Sequence, residues 1–276
     1  MPELPPVATP PTAQVAGTAA FSKFMHVLQL VADTPQAMTV AELGKLSGYP
    51  RPTVYRMVGA LVAEGLLAEH PATGKLTLGP RLIQLASRSW GRSELRLAAV
   101  EHLKHLRDVT GETVHLAVPS GQHMVYIEKL ESPSAVQMNS RIGTSVSLYS
   151  TAVGKAYLSM LDDAARQAAL DTLPQPFARH TPNTVQDLAA LGHQLEQARQ
   201  RGWAVDDEEN ELGIYCFGAP IFGQNGMPVA AISVSTLRFR QKADPQSAYV
   251  APLLEACRAI TQRIAETPAL SATDVL

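Results

Sequence analysis

The sequence predicts an α+β protein in which a winged helix-turn-helix domain precedes a larger domain with an antiparallel sheet flanked by helices. For the first domain, two short amphipathic helices separated by a tight turn occur between residues 39 and 63, and a hairpin pattern follows at residues 66–78. For the larger domain, segments of alternating apolar residues are mixed with helical stretches.

The helices of the first domain are bounded by residues that start or stop a helix. An amphipathic stripe begins at Phe21 and ends before Pro35, which indicates a first supporting helix. Gly48 permits the left-handed backbone that ends a helix, and Pro50 prevents continuation, so the chain must turn there. Pro52 then suits the first turn of the next helix, because that position needs no amide partner.

The polar residues of this next helix are the candidate DNA contacts. Arg51, Thr53, Tyr55 and Arg56 lie in its first two turns, where a recognition helix meets base edges and phosphates. Lys75 follows the glycine of the hairpin loop and would lie on the wing beside the DNA backbone. The alternative is that Tyr55 and Arg56 only cover the domain surface with their side chains.

Charge is distributed unevenly along the chain. The whole sequence has 23 Lys and Arg against 25 Asp and Glu, yet residues 20–91 carry seven basic and four acidic side chains, a formal charge of +3. The remaining residues carry 16 basic and 21 acidic side chains, a formal charge of −5. Phosphate binding is therefore expected to be salt-sensitive and confined to the first domain.

Composition restricts the compartment and the chemistry. Cys216 and Cys257 are widely separated, which fits neither a disulfide framework nor a zinc motif, and no run of about twenty apolar residues offers a membrane span. His115 and His180 have no partner at a metal-ligating spacing, so both are expected to be structural or surface residues. These features predict a cytoplasmic protein with no metal, no cofactor and no membrane contact.

The larger domain is predicted to begin with a helix from Leu95 and to continue with strands and helices of the GAF/PAS-like type. Strands are predicted at residues 113–119, 123–131, 135–142, 203–206, 214–222 and 227–236, and helices from Thr151 and at residues 162–173, 184–200 and 245–265. The predicted organisation is a disordered tail (1–18), a DNA-binding domain (19–80), a linker helix (81–92), an effector-binding and oligomerisation domain (93–268) and a C-terminal tail (269–276).

Common enzyme motifs are missing from the sequence, which has no GxSxG, HExxH, Walker or GxGxxG pattern. Catalysis is therefore not expected, although a triad assembled only in space leaves an enzyme with an accessory DNA-binding domain as an alternative. A purely architectural DNA-binding protein would not need the second domain.

Three motifs occur in an order that resembles one family of transcriptional regulators. They are GYPRPTVYR with GLLAEH, RIGTSVSLYSTAVGKAYLS at 141–159, and GWAVDDEENELGIYCFGAPIF at 202–222 followed by AAISVS. Together they resemble the IclR family over residues from about 20 to 265. The segments SRIG, LYSTAVGKAYL, DDEENELGIYC and STLRF resemble most closely the KdgR-type repressors of that family.

This resemblance implies a DNA-binding transcription regulator that assembles with itself, as a homodimer or a dimer of dimers, on an operator in double-stranded DNA. It implies a repressor of a catabolic operon that a small organic acid releases, with a sugar acid such as 2-keto-3-deoxygluconate favoured. A ligand-dependent activator of aromatic-acid or other carboxylate catabolism is the alternative, since activators also occur in the family.

The resemblance also implies an effector site between the helix start near Ser150 and the last strands. The family's ligand contacts carry over to Met138, Ala152, Val153, Asp206, Ile214, Cys216, Ser233 and Ser235. The physical chemistry agrees, because residues two apart in a strand share a face and a helix amino terminus attracts a carboxylate. As alternatives, Cys216 is a small core residue, the serines satisfy backbone groups, and Lys155 packs or caps charge.

Overall fold

The computed structural model describes residues 18–266, except for the side chains of residues 89–92. Apart from Thr18, the tails predicted at residues 1–18 and 269–276 therefore lie outside the described residues. The contacts divide the chain into two compact units between Gly91 and Arg92. No helix in residues 18–266 has the length and apolar character needed to cross a membrane.

The first unit is a winged helix-turn-helix, as the sequence predicts. A three-stranded antiparallel sheet in the order β1-β3-β2 packs with the helices. The elements, in chain order, are α1 (Ala19–Asp33), β1 (Met38–Thr39), α2 (Val40–Ser47), α3 (Arg51–Ala63), β2 (Leu67–Glu69), β3 (Lys75–Leu78) and α4 (Pro80–Arg92).

Local sequence signals set the boundaries of the short helices α2 and α3. Thr39 and Glu42 form a capping box at the start of α2, so each side chain satisfies a backbone N–H of the first turn. Gly48 ends α2 with a left-handed φ of 69°, and Pro52 lies in the first turn of α3. The apolar faces meet in one core, formed by Val27, Leu43, Val54, Met57, Val58, Leu61, Leu67 and Leu76 among others.

The second unit contains one six-stranded sheet in the order β6-β5-β4-β9-β8-β7, in which all neighbouring strands are antiparallel. The α+β fold class predicted from the sequence is therefore confirmed. The elements are α5 (Glu94–Thr110), β4 (Thr113–Ser120), β5 (His123–Leu130), β6 (Ser145–Ser147), α6 (Ala152–Met160), α7 (Asp163–Thr172), α8 (Leu188–Arg201), β7 (Ala204–Asp207), β8 (Ile214–Phe222), β9 (Pro228–Leu237) and α9 (Ala251–Glu266).

Two separate apolar cores cover the two faces of this sheet. Helices α5 and α9 pack on one face, where their leucines and isoleucines meet Leu116, Phe217 and Ile232. Helices α6 and α8 pack on the other face, against small residues such as Ala117 and Ala231. The two faces therefore differ in side-chain size, and the face under α6 leaves its strands room for polar groups.

Two glycines allow the start of α6 to lie close to its neighbours. A Cβ atom on Gly218 of strand β8 would lie 2.4 Å from the carbonyl oxygen of Ala152. A Cβ atom on Gly154 would lie 2.5 Å from the Cα of Leu148, which precedes the helix. A larger residue at Gly218 would push the start of α6 away from β8, and one at Gly154 would push it away from the backbone of Leu148.

The predicted strand at residues 135–142 is wrong, because that segment is irregular and the edge strand is β6, from Ser145 to Ser147. The buried ammonium of Lys129 donates hydrogen bonds to the carbonyl oxygens of Met138, at 2.8 Å, and Ser140, at 2.7 Å. These carbonyls bind a side chain instead of a neighbouring strand. An alternating sequence alone does not reveal that competition.

Helix α8 begins later than the predicted helix at residues 184–200. It starts at Leu188, because the Thr184 hydroxyl donates to the carbonyl oxygen of Glu209 and Asp187 provides the helix cap. The last helical stretch begins at Pro245, as the sequence predicts, but its first turn, from Gln246 to Val250, is π-helical before α9. The start of α8 depends on a contact with a distant residue that periodicity does not encode.

Candidate functional site

Helix α3 presents its polar side chains on the face opposite the core of the first unit. Arg51, Tyr55 and Arg56 are exposed, and Thr53 is half-buried. Between them Val54 is fully buried in the core of the unit. The helix therefore packs through its apolar side, and polar side chains of its first two turns are exposed.

The positively charged side chains on this surface differ in whether an acidic side chain already pairs with them. Within the described part of the chain, Arg51, Arg56 and Lys75 form no ion pair, whereas Arg81 is paired with Glu64. The Arg51 guanidinium lies 5.8 Å from the ring centroid of Tyr55, one helical turn away, in a cation–π arrangement. The unpaired cations are the ones that a phosphate backbone would attract most strongly.

Lys75 lies at the start of strand β3, next to the tip of the wing. The backbone N–H of His70 donates to the carbonyl oxygen of Lys75 at 2.8 Å, which closes the hairpin. Gly74 adopts a left-handed φ of 63° in the loop between them. The side chain of Lys75 is exposed, as a contact to a DNA backbone requires.

In the second unit, a row of polar side chains crosses four adjacent strands on the sheet face under α6. His115 on β4 pairs in register with Ser233 on β9. Ser235 pairs with Cys216 on β8, and Cys216 pairs with Asp206 on β7. These five residues are all buried, and we call them the polar row.

Hydrogen bonds connect the members of the polar row. The thiol of Cys216 donates to the Ser235 hydroxyl at 3.2 Å. The hydroxyls of Ser233 and Ser235 each lie 3.4 Å from Nδ1 of His115. The other ring nitrogen, Nε2, lies 2.8 Å from the Ser140 hydroxyl. The row therefore contains several neutral hydrogen-bond donors and acceptors that could form hydrogen bonds with a polar ligand instead of with each other.

His115 is not among the effector residues that the sequence predicts, and the structure buries it within the polar row. Burial, with a smaller contribution from the Lys129 ammonium, lowers its pKa to about 3, so its imidazole is neutral at pH 7. Its ring stacks on that of Tyr126 with the centroids 4.4 Å apart. The alternation of strand β4 could have found it, since Val114 and Leu116 face the opposite side.

Asp206 provides the carboxyl group of the row. Its Oδ1 accepts hydrogen bonds from the backbone N–H groups of Glu209, at 2.8 Å, and Asn210, at 3.2 Å. Burial raises its pKa to about 7, although the nearby Lys155 ammonium acts in the opposite direction. The carboxyl is therefore partly protonated near neutral pH and can both donate and accept hydrogen bonds.

The start of helix α6 lies directly over the middle of this row. The Thr151 hydroxyl donates to the carbonyl oxygen of Ser147 and accepts from the N–H of Gly154, which caps the helix. Ala152 and Val153 are buried in the first turn, and Ala152 is in close contact with Gly218, the register partner of Ser233. A helix amino terminus carries a partial positive charge, so this position suits an anion.

The Lys155 ammonium binds groups beside the polar row. It donates to Glu209 Oε1 at 2.5 Å and to Gln194 Oε1 at 2.7 Å. The pair is almost fully buried, and the backbone N–H of Glu209 donates to Asp206 of the row. This geometry agrees with the alternative that Lys155 balances a buried charge and does not contact an effector.

The remaining predicted effector residues lie at the ends of the arrangement. Met138 is half-buried in the irregular segment, and Ile214 is half-buried at the start of β8, two residues from Cys216 on the same face. Two cavities of the second unit, of about 320 and 200 Å³, are lined by other residues and not by His115, Ser233 or Ser235.

Within the described residues, no group of three or more His, Cys, Asp and Glu side chains is arranged to hold a metal ion. Both cysteine thiols are buried and free, and burial raises the pKa of each. The thiols are therefore protonated, and Cys216 serves the row as a weak hydrogen-bond donor.

Comparison with known families matches both units to one group of proteins. The model described as the IclR helix-turn-helix domain matches residues 21–71, and the model described as the bacterial transcriptional regulator IclR C-terminal domain matches residues 88–262.

Individual relatives support the same assignment over most of the chain. The HTH-type transcriptional regulator KdgR of Escherichia coli is 31% identical over 88% of this chain and 91% of its own length. The DNA-binding transcriptional repressor YiaJ of Escherichia coli is 28% identical over 91% of this chain and 90% of its own length. The crystal structure of an IclR homolog from Microbacterium hydrocarbonoxydans, complexed with 4-hydroxybenzoate, is 25% identical with a TM-score of 0.76, over 90% of this chain and 100% of that chain.

Proposed function

The chain belongs to the IclR family of DNA-binding transcriptional regulators, and from this premise we propose that it is a repressor released by a small organic acid. The observation that carries the proposal is the polar row, buried beneath the start of α6. A buried set of neutral hydrogen-bonding groups next to a helix amino terminus is suited to a small carboxylate with hydroxyl or keto groups.

The first unit would supply the operator contacts. We propose that helix α3 enters the major groove with Arg51, Thr53, Tyr55 and Arg56, and that Lys75 on the wing contacts the phosphate backbone. The exposure of the three cations and Tyr55, and the lack of an ion pair for the three cations within the described residues, support this assignment. A homodimer or a dimer of dimers would present two such helices to a pseudo-palindromic operator in double-stranded DNA.

The second unit would bind the effector. We propose that its carboxylate lies at the start of α6, near Ala152 and Val153, and that its hydroxyl or keto groups reach the polar row. Met138 and Ile214 would close the two ends of the site. We propose that the bound effector changes how α6 or the segment around Met138 packs on the sheet, and that the DNA-binding unit senses this change.

A sugar acid such as 2-keto-3-deoxygluconate is the favoured effector, because the row offers at least four neutral hydrogen-bonding side chains to a chain of hydroxyl groups. The repressor name of the relative YiaJ supports the direction of control. The alternative is a ligand-dependent activator that responds to an aromatic or other carboxylate. The relative bound to 4-hydroxybenzoate supports that alternative, since its ligand combines a carboxylate with one hydroxyl.

We further propose the domain limits 19–80, 81–92 and 93–268 for the DNA-binding domain, the linker helix and the effector domain, and a cytoplasmic location. Catalysis is not part of the function, since the family and its named relatives are regulators.

The experiment that tests this proposal combines a thermal-shift screen with an operator-binding assay. A panel of sugar acids, aromatic acids and short keto acids is screened, because a ligand that binds only the folded protein raises its melting temperature. A ligand found in this way should weaken operator binding, and operator DNA should weaken its binding by the same factor. Binding of promoter fragments no tighter than random duplex, with or without these acids, would refute the proposal.

A further inference from the structure

A second cavity borders the outer edge of strand β7, next to the Asp206 end of the polar row. Its volume is about 200 Å³, which is room for about seven water molecules at ~30 Å³ each. Strand β7 is the last strand of the sheet that the described residues form, so none of these residues pairs with its outer edge. The cavity is lined by Lys155, Gln194, Gln197, Arg201, Ala204, Val205, Asp207, Glu209 and Tyr215.

The buried Lys155–Glu209 pair in the cavity lining has one unused donor and one unused acceptor. Lys155 has three N–H donors, of which two are accounted for within the described residues, by Gln194 and Glu209. Oε2 of Glu209 has no hydrogen-bond partner in the described part of the chain, although the side chain is only 5% exposed. A buried carboxylate oxygen without a partner is costly, so a donor that reached it from the cavity would be bound favourably.

The rim of the cavity carries two further charged side chains, of which Asp207 is paired with Arg238. Arg201 and Asp207 are exposed there, and the Arg201 guanidinium is held 3.9 Å from the ring centroid of Trp203. Its Nε donates to the carbonyl oxygen of Trp203 at 2.7 Å. The terminal nitrogens of this guanidinium have no partner within the described residues, so they are available to a carboxylate.

We propose that this cavity binds a small L-α-amino acid. A zwitterion carries an ammonium and a carboxylate on the same carbon, and the lining offers the Glu209 carboxylate and two cations, Lys155 and Arg201, to receive them. The ammonium would complete Glu209, and the carboxylate would bind Lys155 and Arg201. The volume limits the ligand to an amino acid of the size of alanine, serine or valine, with its side chain against Val205 and Tyr215.

The test is calorimetric titration of the full-length protein with glycine, L-alanine, L-serine and L-valine, compared with propionate and ethylamine. Propionate lacks the ammonium and ethylamine lacks the carboxylate. We expect at least one amino acid to bind with a Kd below about 1 mM and each fragment to bind at least about tenfold more weakly. If none of the amino acids produces a heat of binding at about 10 mM, the proposal is overturned.

Two variants locate the site. Gln197→Trp places a large side chain in the cavity from the exposed face of α8 and should weaken amino-acid binding at least about tenfold. Gln200→Trp, on the same helix but outside the lining, is the matched control and should bind like the wild type. Equal binding by Gln197→Trp and wild type would overturn the assignment.

Glu209→Gln provides a second and independent test, because it keeps the shape of the side chain and removes the charge that pairs with the ammonium. It should weaken amino-acid binding, and unchanged binding would contradict the proposed role of Glu209. Loss of amino-acid binding in a Ser233→Ala, Ser235→Ala double variant, with binding retained in Gln197→Trp, would instead place the ligand at the polar row. These titrations need no operator or sugar acid, so failure of the repressor proposal would be seen separately.

Discussion

Replacing Asp206 with Asn should make the second unit more stable at neutral and alkaline pH. The folded protein raises the pKa of Asp206 from 3.8 to about 7, so the native state binds its proton more tightly than the unfolded chain does. The carboxyl therefore has no unfavourable effect below about pH 4, and its ionisation destabilises the fold progressively as the pH rises to about 7.

The magnitude follows from the size of this change. Each pKa unit corresponds to ~1.4 kcal/mol, so the rise from 3.8 to about 7 corresponds to about 4 kcal/mol of unfolding free energy lost above pH 7. Asn keeps an oxygen that accepts the N–H groups of Glu209 and Asn210, and it does not ionise. We expect Asp206→Asn to be more stable than wild type by about 2 to 4 kcal/mol at pH 8 and to differ little from it near pH 4.

The assay is urea unfolding of both proteins at several pH values between 4 and 8, followed by tryptophan fluorescence. A Trp90→Phe background leaves Trp203, in the second unit, as the sole tryptophan of the two in the sequence. The difference in unfolding free energy between variant and wild type isolates Asp206 from the other carboxyl groups, whose titration both proteins share. A difference that stays constant over this pH range would refute the reasoning, because it would mean that Asp206 does not titrate in that window.

Three further predictions test the DNA contacts, the effector site and the packing of α6 on the sheet. Arg56→Ala should weaken operator binding by about 1 to 3 kcal/mol in a gel-shift titration and leave effector binding unchanged; unaltered operator affinity would remove Arg56 from the contacts. The double variant Ser233→Ala, Ser235→Ala should bind the effector more weakly in calorimetry while keeping its melting temperature within a few degrees, and equal affinity would mean that the ligand lies elsewhere. Gly218→Ala should destabilise the second unit by about 1 to 3 kcal/mol because its Cβ meets the backbone at the start of α6. Gly192→Ala on α8, where a Cβ meets open space, should instead be neutral or stabilising by about 0.5 to 1 kcal/mol, and a similar loss in both variants would contradict the close-packing argument.

Much of the fold could be predicted because its signals are local. Gly48 and Pro50 end the first helix of the helix-turn-helix, and Pro52 lies in the first turn of the next. They do so through backbone preferences that act wherever these residues occur. The sequence predicts strand β8 with the bounds Ile214 to Phe222 that the structure shows, because its apolar residues form one continuous run. The segment at 135–142 was predicted wrongly because a distant side chain, that of Lys129, binds its carbonyls.

The sequence by itself determined the winged helix-turn-helix, the α+β class, the family and the candidate residues on each strand and helix. Periodicity, turn chemistry and motif order are properties of neighbouring residues, so they can be read along the chain. Only the tertiary structure decided that His115 joins Ser233, Ser235, Cys216 and Asp206 in one buried row, since strand register joins residues more than a hundred positions apart. It also decided the charge states in that row, because desolvation depends on what packs around a group and not on its sequence neighbours.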